Sequence, residues 1–340
     1  MAGVSTATAS RALSGDSRVR DATRARVQAV AESLHYRPNR AARSLASGRS
    51  GVIGLVLPTE PLVNDPYGAI LINGVAQSAS TRDHGLMLWM THREPGATVR
   101  ELFSGGLLDG LVISAVALGD AWVEKLLDGP LPTVLIGRHP QRSDVDVVEV
   151  DNTAAARLVV EHLIGLGHRR IATITGPEAR SDAAERLETF RTVMAEHGLP
   201  VPDELVEPGD FSPLSGLAAM ARLIPHRPTA VFAANDQMAL GAMEAISLAG
   251  LRVPDDISVA GFDDFPAALV SNPPLTTVGQ DVDLVADRAV AHLIDLLDTG
   301  RRGTDVLVGA ELRIRGSTGP PKGSGETGHR RSADGRADEP

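Results

Sequence analysis

The chain has 340 residues, of which 43% are hydrophobic and 22% charged, a composition typical of a soluble globular protein with two or three lobes. It contains no cysteine, which excludes disulfides, thiolate metal sites and cysteine nucleophiles. No apolar run reaches the roughly 20 residues that cross a bilayer, and no secretory signal is evident, so we expect a cytoplasmic protein without membrane contact.

The charge is divided unevenly along the chain. The first 50 residues hold nine arginines and three acids, whereas the other 290 residues hold 24 Lys+Arg against 40 Asp+Glu. A basic module on an acidic body indicates a head that binds a polyanion and a core with another task.

The N-terminal 50 residues have a helical pattern. Ser5 is predicted to cap a short helix, Thr6–Leu13, and Asp21 to cap a second helix that ends before Pro38. The apolar stripe of the second helix consists of Val27, Val30, Ala31 and Leu34. A third helical stretch, Asn39–Ala46, carries two arginines and a lone leucine.

Short apolar or β-branched runs bounded by Gly, Pro or Asp follow, as in strands buried on both faces. The predicted strands are Val52–Leu57, Leu86–Met90, Leu111–Ile113, Thr133–Ile136, Val147–Val150, Ile171–Thr175, Ala230–Ala233, Ile257–Ala260 and Thr276–Val278. Helix-length segments lie between most of them, such as Ala154–Leu166 and Asn235–Ala249, which stop at Gly167 and Gly250.

This alternation predicts an α/β fold with parallel sheets and helices on both faces. About ten strands favour two sheets over one. Ligands of such folds bind beyond the carboxyl ends of the strands, so a cleft between two lobes is the expected site. Residues 319–340 are almost free of apolar side chains and are predicted to be a disordered tail.

Motifs of several enzyme classes are missing from the sequence: GxxxxGK[ST], HExxH and GxSxG. The ten histidines show no metal-ligand spacing, and the carboxylates are scattered. We therefore expect no catalytic residues, no metal and no cofactor.

Several segments carry a family resemblance. GVSTATASRALSG and VRDATRARVQAVAESLHYRPNRAARSL resemble the headpiece of the LacI/GalR transcriptional regulators. The later segments LGHRRIATITG, GDFSPLSG, ANDQMALGAMEAI and LRVPDDISVAGFDD resemble family signatures in the family's order. The resemblance implies an all-α helix-turn-helix headpiece and a periplasmic-binding-protein-like core of two doubly wound parallel-sheet lobes.

The resemblance also implies domain boundaries. The headpiece is expected at 1–37 and a hinge helix or linker at 38–50. The N-terminal lobe is expected at 51–150 with 280–305, and the C-terminal lobe at 151–279 with 306–318. The sequence starts inside the turn of the motif, so the first helix of the headpiece is missing, and we expect an upstream start codon.

For DNA, the resemblance implies that Thr6, Ala7 and Arg11 read the major groove, with Ser5, Thr8 and Ser10 as phosphate partners or supports. The chemistry agrees in part, because arginine can pair with guanine and a methyl group can contact thymine. Leu45 matches an apolar wedge that enters a minor-groove step and kinks the duplex, and Arg40 and Arg43 would then lie along the DNA backbone. Alternatively, Arg11 is a solvated helix arginine and Leu45 packs against the core.

For the ligand, the resemblance implies that Arg186, Asn235 and Asp263 make polar contacts, while Phe211 and, from the other lobe, Tyr67 cover apolar surface. Such a combination suits a sugar, whose hydroxyls need paired donors and acceptors. Gly68 and Ala154 depart from relatives, so ligand identity does not transfer.

Three of these residues also have a structural alternative. Asn235 and Asp263 can be helix caps, and Phe211 can be a buried loop residue. Asp236 reads as a first-turn acid favoured by the helix dipole.

The function implied is a ligand-responsive, sequence-specific DNA-binding regulator, in this family most often a repressor. Its partners would be a pseudo-palindromic operator, a sugar-like effector and a second copy of the chain. A periplasmic-type sugar-binding protein without a DNA role is the alternative, and an enzyme of doubly wound type is a third possibility. Steep salt dependence of binding to duplex DNA separates the first reading from the second.

Overall fold

The computed structural model describes residues 2–13, 16–36, 48–57, 66–90, 103, 106–114, 121–139, 141–303 and 305–322. Three of the predicted DNA-contacting residues, Arg40, Arg43 and Leu45, lie outside the described residues, as does the predicted helix Asn39–Ala46.

Within residues 2–13 and 16–36, the N-terminal module contains two helices, α1 (Thr6–Leu13) and α2 (Asp21–Ser33). Three buried side chains, Ala12, Val19 and Val27, hold them together. Ser5 caps α1 as predicted, since its hydroxyl accepts a hydrogen bond from the Thr8 backbone nitrogen at 3.2 Å.

Two expectations for the second helix are wrong. Asp21 is the first residue of α2 rather than its cap, and its carboxylate pairs with Arg24 at 3.0 Å. The helix ends at Ser33, and Leu34 is exposed instead of joining the buried stripe. Only Val27 of that stripe is fully buried, because the described part of the module is too small to cover the rest.

The N-terminal lobe is built on a six-stranded parallel sheet. Its strands are β1 (Val52–Leu57), β2 (Gly85–Met90), β3 (Gly110–Ser114), β4 (Thr133–Ile136), β5 (Asp146–Val150) and β11 (Asp305–Val308). They lie in the order β11-β5-β4-β3-β1-β2. Helices α3 (Pro66–Thr81) and α10 (Val282–Thr299) pack together on the core of one face, and α4 (Ala121–Leu127) packs on that of the other.

The C-terminal lobe has a second six-stranded sheet. Its strands are β6 (Ile171–Thr175), β7 (Val206–Pro208), β8 (Ala230–Ala233), β9 (Ser258–Asp263), β10 (Thr276–Gln280) and β12 (Ala310–Arg313). The order is β12-β10-β9-β8-β6-β7, and only β12 runs antiparallel to its neighbour. The helices are α5 (Asn152–Gly165), α6 (Ser181–Glu196), α7 (Pro213–Leu223), α8 (Asp236–Leu248) and α9 (Pro266–Val270).

Three segments connect the lobes. The chain crosses at Asp151 between β5 and α5, at Asp281 between β10 and α10, and at Gly309 between β11 and β12. Both aspartates cap the helix that follows, each accepting a backbone N–H at 2.8 Å. The third crossing was expected between 305 and 306, but β11 extends to Val308.

The start of the predicted tail belongs to the C-terminal lobe. The buried His168 donates from Nε2 to the Gly319 carbonyl oxygen at 2.9 Å, and Lys322 pairs with Asp256. Residues 319–322 are therefore part of the folded lobe, whereas 323–340 lie outside the described residues. The expected α/β class with two doubly wound lobes is confirmed.

Candidate functional site

The predicted ligand residues come from both lobes. Asn235 follows β8, Asp263 ends β9, and Phe211 lies between β7 and α7. Tyr67 is in the first turn of α3, on the other lobe, and the charge of Asp263 acts on its phenol. The structure thus brings these side chains together at the carboxyl ends of the strands, where ligands of such folds bind. Burial raises the pKa of Tyr67, so its phenol is neutral at ordinary pH.

Arg186 is the buried cation of the cleft, with only 5% of its surface exposed. Its Nε donates to Asn152 Oδ1 at 2.9 Å, and its Nη1 donates to the Ala234 carbonyl oxygen at 2.6 Å. The guanidinium lies 3.6 Å from the ring centroid of Phe262. These contacts hold the plane of the group, as a residue that grips a ligand by directed hydrogen bonds requires.

Asn235 caps α8 and also holds the loop of Phe211. Its Oδ1 accepts from the Met238 backbone nitrogen at 2.9 Å, and its Nδ2 donates to the Phe211 carbonyl oxygen at 3.0 Å. Phe211 itself has a left-handed backbone with φ of +70°, and the Arg180 guanidinium lies 5.9 Å from its ring centroid. The capping role of Asn235 is therefore present and compatible with a place at the site.

Asp263 does not cap the next helix, because the N-cap of α9 is Phe265. Its Oδ1 instead accepts from Gln280 Nε2 at 2.5 Å. Asp263 and Asp264 have φ of +127° and +61°, a region that residues with a Cβ rarely adopt. Strained backbone of this kind concentrates at functional sites, which supports a role for Asp263 beyond structure.

Asp236 lies behind the site and is completely buried. Its two oxygens accept from Thr277 Oγ1 at 2.6 Å and from the Phe265 backbone nitrogen at 3.0 Å. Burial is the main cause that raises the pKa of this carboxyl to about 7. Asp236 joins α8 to β10 and to the loop that follows Asp263, so its role is structural, as expected.

An ion pair beside the site was not predicted. Arg180 and Asp182 are 2.6 Å apart at the start of α6. Burial alone would raise the pKa of Asp182, but the charges of Arg180 and Arg186 outweigh it and hold the pKa at about 2. No sequence motif marks the segment before α6. The only signal that could have indicated the ion pair is its closeness in sequence to the predicted site residue Arg186.

The predicted DNA-contacting residues within the described chain all lie in or next to α1. Thr8 is half-buried; the other five, which are exposed, are Ser5, Thr6, Ala7, Ser10 and Arg11. The hydroxyls of Ser5 and Thr8 are 2.9 Å apart, so they stabilise the start of the helix. Ala12 is buried on the opposite side, which leaves the polar face of α1 open.

The segment that joins the N-terminal module to the core is tied down at its end. Arg49 donates to Asp298 Oδ1 at 2.6 Å and to the Leu297 carbonyl oxygen at 2.5 Å, both at the end of α10. The Asp109 carboxylate accepts the backbone N–H groups of Ser50 and Gly51 at 2.6 and 2.8 Å. The linker thus meets the core at a well-defined point.

None of the helices within the described ranges combines the length and apolarity that a bilayer crossing needs. The same ranges contain no cluster of three His, Asp or Glu side chains that could hold a metal ion.

Comparison with protein families gives two matches. Residues 1–39 match "Bacterial regulatory proteins, lacI family", and residues 160–318 match "Periplasmic binding protein-like domain". The ribose operon repressor of Escherichia coli K12 is 36% identical over 86% of this chain and 90% of its own length. The regulator CelR of Thermobifida fusca is 34% identical over 92% of this chain and 94% of its own.

Solved structures agree. The lac repressor dimer bound to operator and an anti-inducer has a TM-score of 0.79 at 30% identity, covering 94% of this chain and 96% of that one. The CelR–cellobiose complex has a TM-score of 0.74 at 31% identity, covering 93% and 97%. These relatives are transcriptional regulators. The chain belongs to the LacI family of bacterial regulatory proteins.

Proposed function

We propose that this protein is a transcriptional repressor whose binding to a pseudo-palindromic operator is controlled by a sugar or sugar derivative in the cleft. The observation that carries the proposal is the convergence, between the lobes, of a fixed guanidinium, an amide, a carboxylate on a strained backbone and two aromatic rings. Among relatives, one represses a ribose operon and another is solved with cellobiose.

The site residues divide the recognition of a sugar between them. The Asp263 carboxylate accepts hydrogen bonds from hydroxyl groups of the sugar. Arg186 donates to hydroxyl oxygens through Nη2, because Nε and Nη1 are bonded to other groups of the protein. Asn235 contributes its amide, while Phe211 and Tyr67 cover the C–H faces of the ring. Acceptors, donors and rings together match the alternating surface of a sugar.

The headpiece presents α1 to the major groove. Thr6, Ala7 and Arg11 read base edges, and Ser5, Thr8 and Ser10 position the helix on the phosphates. Leu45 enters the minor groove between the half-sites and kinks the duplex, while Arg40 and Arg43 lie along the DNA backbone. The acidic core keeps away from the phosphates, so DNA contact is confined to the basic N-terminal segment.

A homodimer supplies two headpieces to the symmetric operator. Four apolar side chains on α7, α8 and α9 stand in solvent and suit a face buried between two copies: Leu214 (73% exposed), Leu248 (72%), Leu269 (61%) and Val270 (80%). The cytoplasm is the compartment in which such a protein meets its operator.

The test begins with selection of duplex DNA from a random library by the full chain at physiological salt. We expect a palindromic consensus, and for that duplex a log–log plot of affinity against salt with a steep negative slope. Ribose, cellobiose and a panel of other sugars are then added to the preformed complex, and one class should release the DNA. Recovery of random sequence, or a salt-independent affinity, would refute the DNA role.

A further inference from the structure

The two lobes touch through α6 as well as through the crossing segments. Ser181 Oγ donates to the Arg138 carbonyl oxygen at 2.5 Å, and Arg138 Nε lies 3.9 Å from Glu185 Oε1. Arg138 follows β4 and belongs to the N-terminal lobe, whereas Ser181 and Glu185 belong to the C-terminal lobe. The helix that carries the cleft cation Arg186 therefore also carries the contact to the opposite lobe.

Arg138 is bound on its own lobe by two further carboxylates. Its Nη2 donates to Glu149 Oε1 at 2.5 Å and its Nη1 donates to Asp305 Oδ2 at 3.2 Å. Glu149 is 5% exposed and lies in β5, which leads to the crossing at Asp151, and Asp305 begins β11, which leads to the crossing at Gly309. The single cation of Arg138 thus joins three acids beside the segments that connect the lobes.

Asn152 connects this cluster to the ligand site. It is the first residue of α5, next to the crossing residue Asp151, and it is 4% exposed. Its Nδ2 donates to Glu185 Oε2 at 3.1 Å, and its Oδ1 accepts from Arg186 Nε at 2.9 Å. The orientation of the amide is dictated by its partners, since a carboxylate only accepts and a guanidinium only donates.

The charges of Glu149, Glu185 and Arg138 make the contact between the lobes sensitive to small movements of these side chains. Burial raises the pKa of both Glu149 and Glu185, and the charge of Glu185 raises that of Glu149 further, while Arg138 opposes these effects. Removal or displacement of one partner leaves the buried Glu149 or the half-buried Glu185 without compensation, so a small movement of Glu185 changes the free energy of the contact between the lobes.

We propose that Asn152 is the positioning residue that couples effector contact at Arg186 to the angle between the lobes, through Glu185 and Arg138. The inference rests on the proposed role of Arg186 in effector binding. An effector that draws the Arg186 guanidinium alters the hydrogen bond to Asn152. The Asn152 amide then changes its hydrogen bond to Glu185. This change alters the distance between Glu185 and Arg138, and with it the contact between the two lobes.

The coupling can be tested on the full chain without effector or DNA. The first readout is the Nε–H resonance of Arg186 in ¹⁵N-labelled protein, assigned by its loss in Arg186→Lys. Arg138→Gln should shift this resonance although no bond joins the two arginines, and the shift should vanish in an Asn152→Ala background. If Asn152→Ala does not fold, Asn152→Asp replaces it, because it cannot donate to Glu185.

The second readout is the distance between the lobes. Because the chain has no cysteine, Ala121→Cys and Thr192→Cys place one spin label on α4 and one on α6. We expect Asn152→Asp and Arg138→Gln to change the ratio of open to closed lobes by about 2- to 30-fold, and the double variant to change it no further. Arg157→Ala, which breaks ion pairs within the C-terminal lobe, is the matched control and should change nothing.

Two results would overturn the coupling. One is an Arg186 Nε–H resonance that does not shift in Arg138→Gln, or that shifts by the same amount when the Asn152 amide is removed. The other is an unchanged distance distribution in the Asn152 and Arg138 variants. Neither bears on operator selection, so failure of the coupling is distinguishable from failure of the proposed function.

Discussion

At the scale of single residues, the cleft depends on groups whose orientation is set by internal bonds. Arg186 makes two hydrogen bonds to other groups of the protein, and its guanidinium lies on the ring of Phe262. Organisation in advance lowers the entropic cost of binding, because the guanidinium does not have to be ordered by the ligand.

Arg186→Ala should abolish the effector response while leaving operator affinity largely intact, since the residue belongs to the core and not to the headpiece. Fluorescence anisotropy on the selected operator, with and without the releasing sugar, measures both quantities. Loss of the buried bonds should also lower the free energy of unfolding by about 2 kcal/mol, so folding is checked first. Arg191→Ala, on the exposed side of the same helix, is the control. A folded Arg186→Ala variant that no longer binds DNA would assign Arg186 a structural role instead.

The buried Asp236 predicts a pH dependence of stability. Its folded-state pKa of about 7 lies above the ordinary value of 3.8, so the folded state holds a proton that the unfolded state has lost. Its contribution to stability therefore falls as pH rises from about 4 to about 7 and is constant above that.

Asp236→Asn mimics the protonated carboxyl and should remove this slope. Urea unfolding at several pH values measures the difference in the free energy of unfolding between wild type and variant. Wild type should lose stability relative to Asp236→Asn between pH 4 and 7. A difference that stays constant with pH would show that Asp236 is ionised in the fold.

At the scale of elements, the local pattern predicts the strands that are apolar runs and misses three strands at the sheet edges. All nine predicted strands are present, because each is a short apolar run closed by a turn signal. The strands that were missed, β7, β11 and β12, lie at or next to the edges of their sheets and have largely exposed or half-buried residues. Their pairing is decided by distant partners, which no local period records.

The site shows the same division. The family resemblance predicts Tyr67, Arg186, Phe211, Asn235 and Asp263 as site residues, but it does not predict Asn152. An asparagine at the start of a helix is typical of a cap, and only the tertiary contact with Glu185 and Arg186 gives it another role.

The contact between α7 and α8 depends on glycine. A Cβ on Gly241 would lie 1.9 Å from the Pro213 carbonyl oxygen, so the helices approach more closely than any side chain allows. Gly241→Ala should force them apart and lower the free energy of unfolding by about 1–3 kcal/mol or more. Gly165→Ala is the control, since a Cβ there meets nothing within 4 Å. Equal urea midpoints for the two variants would contradict this packing.

At the scale of the whole molecule, symmetry and closure have to work together. Three crossings allow the lobes to rotate while each sheet stays intact. The effector and the operator are coupled reciprocally, so a sugar that weakens DNA binding is itself bound less well on the operator.

Leu248→Glu should dissociate the dimer, because it places a charge in the apolar face proposed to lie between the copies. Sedimentation velocity gives the oligomeric state, and operator affinity should fall together with it. Leu158→Glu, at a less exposed leucine of α5, is the control and should leave the dimer unchanged. A dimeric Leu248→Glu variant would move the interface elsewhere.

Helix α10 has a mechanical consequence. It starts at the crossing residue Asp281, and its final turns hold Arg49, where the chain arrives from the headpiece. An 18-residue helix is about 27 Å long, so a tilt of about ten degrees at one end displaces the other by about 5 Å. A rotation of the lobes is thereby converted by α10 into a displacement of the point where each headpiece joins the core. The size of this displacement is comparable to the rise of one or two base pairs.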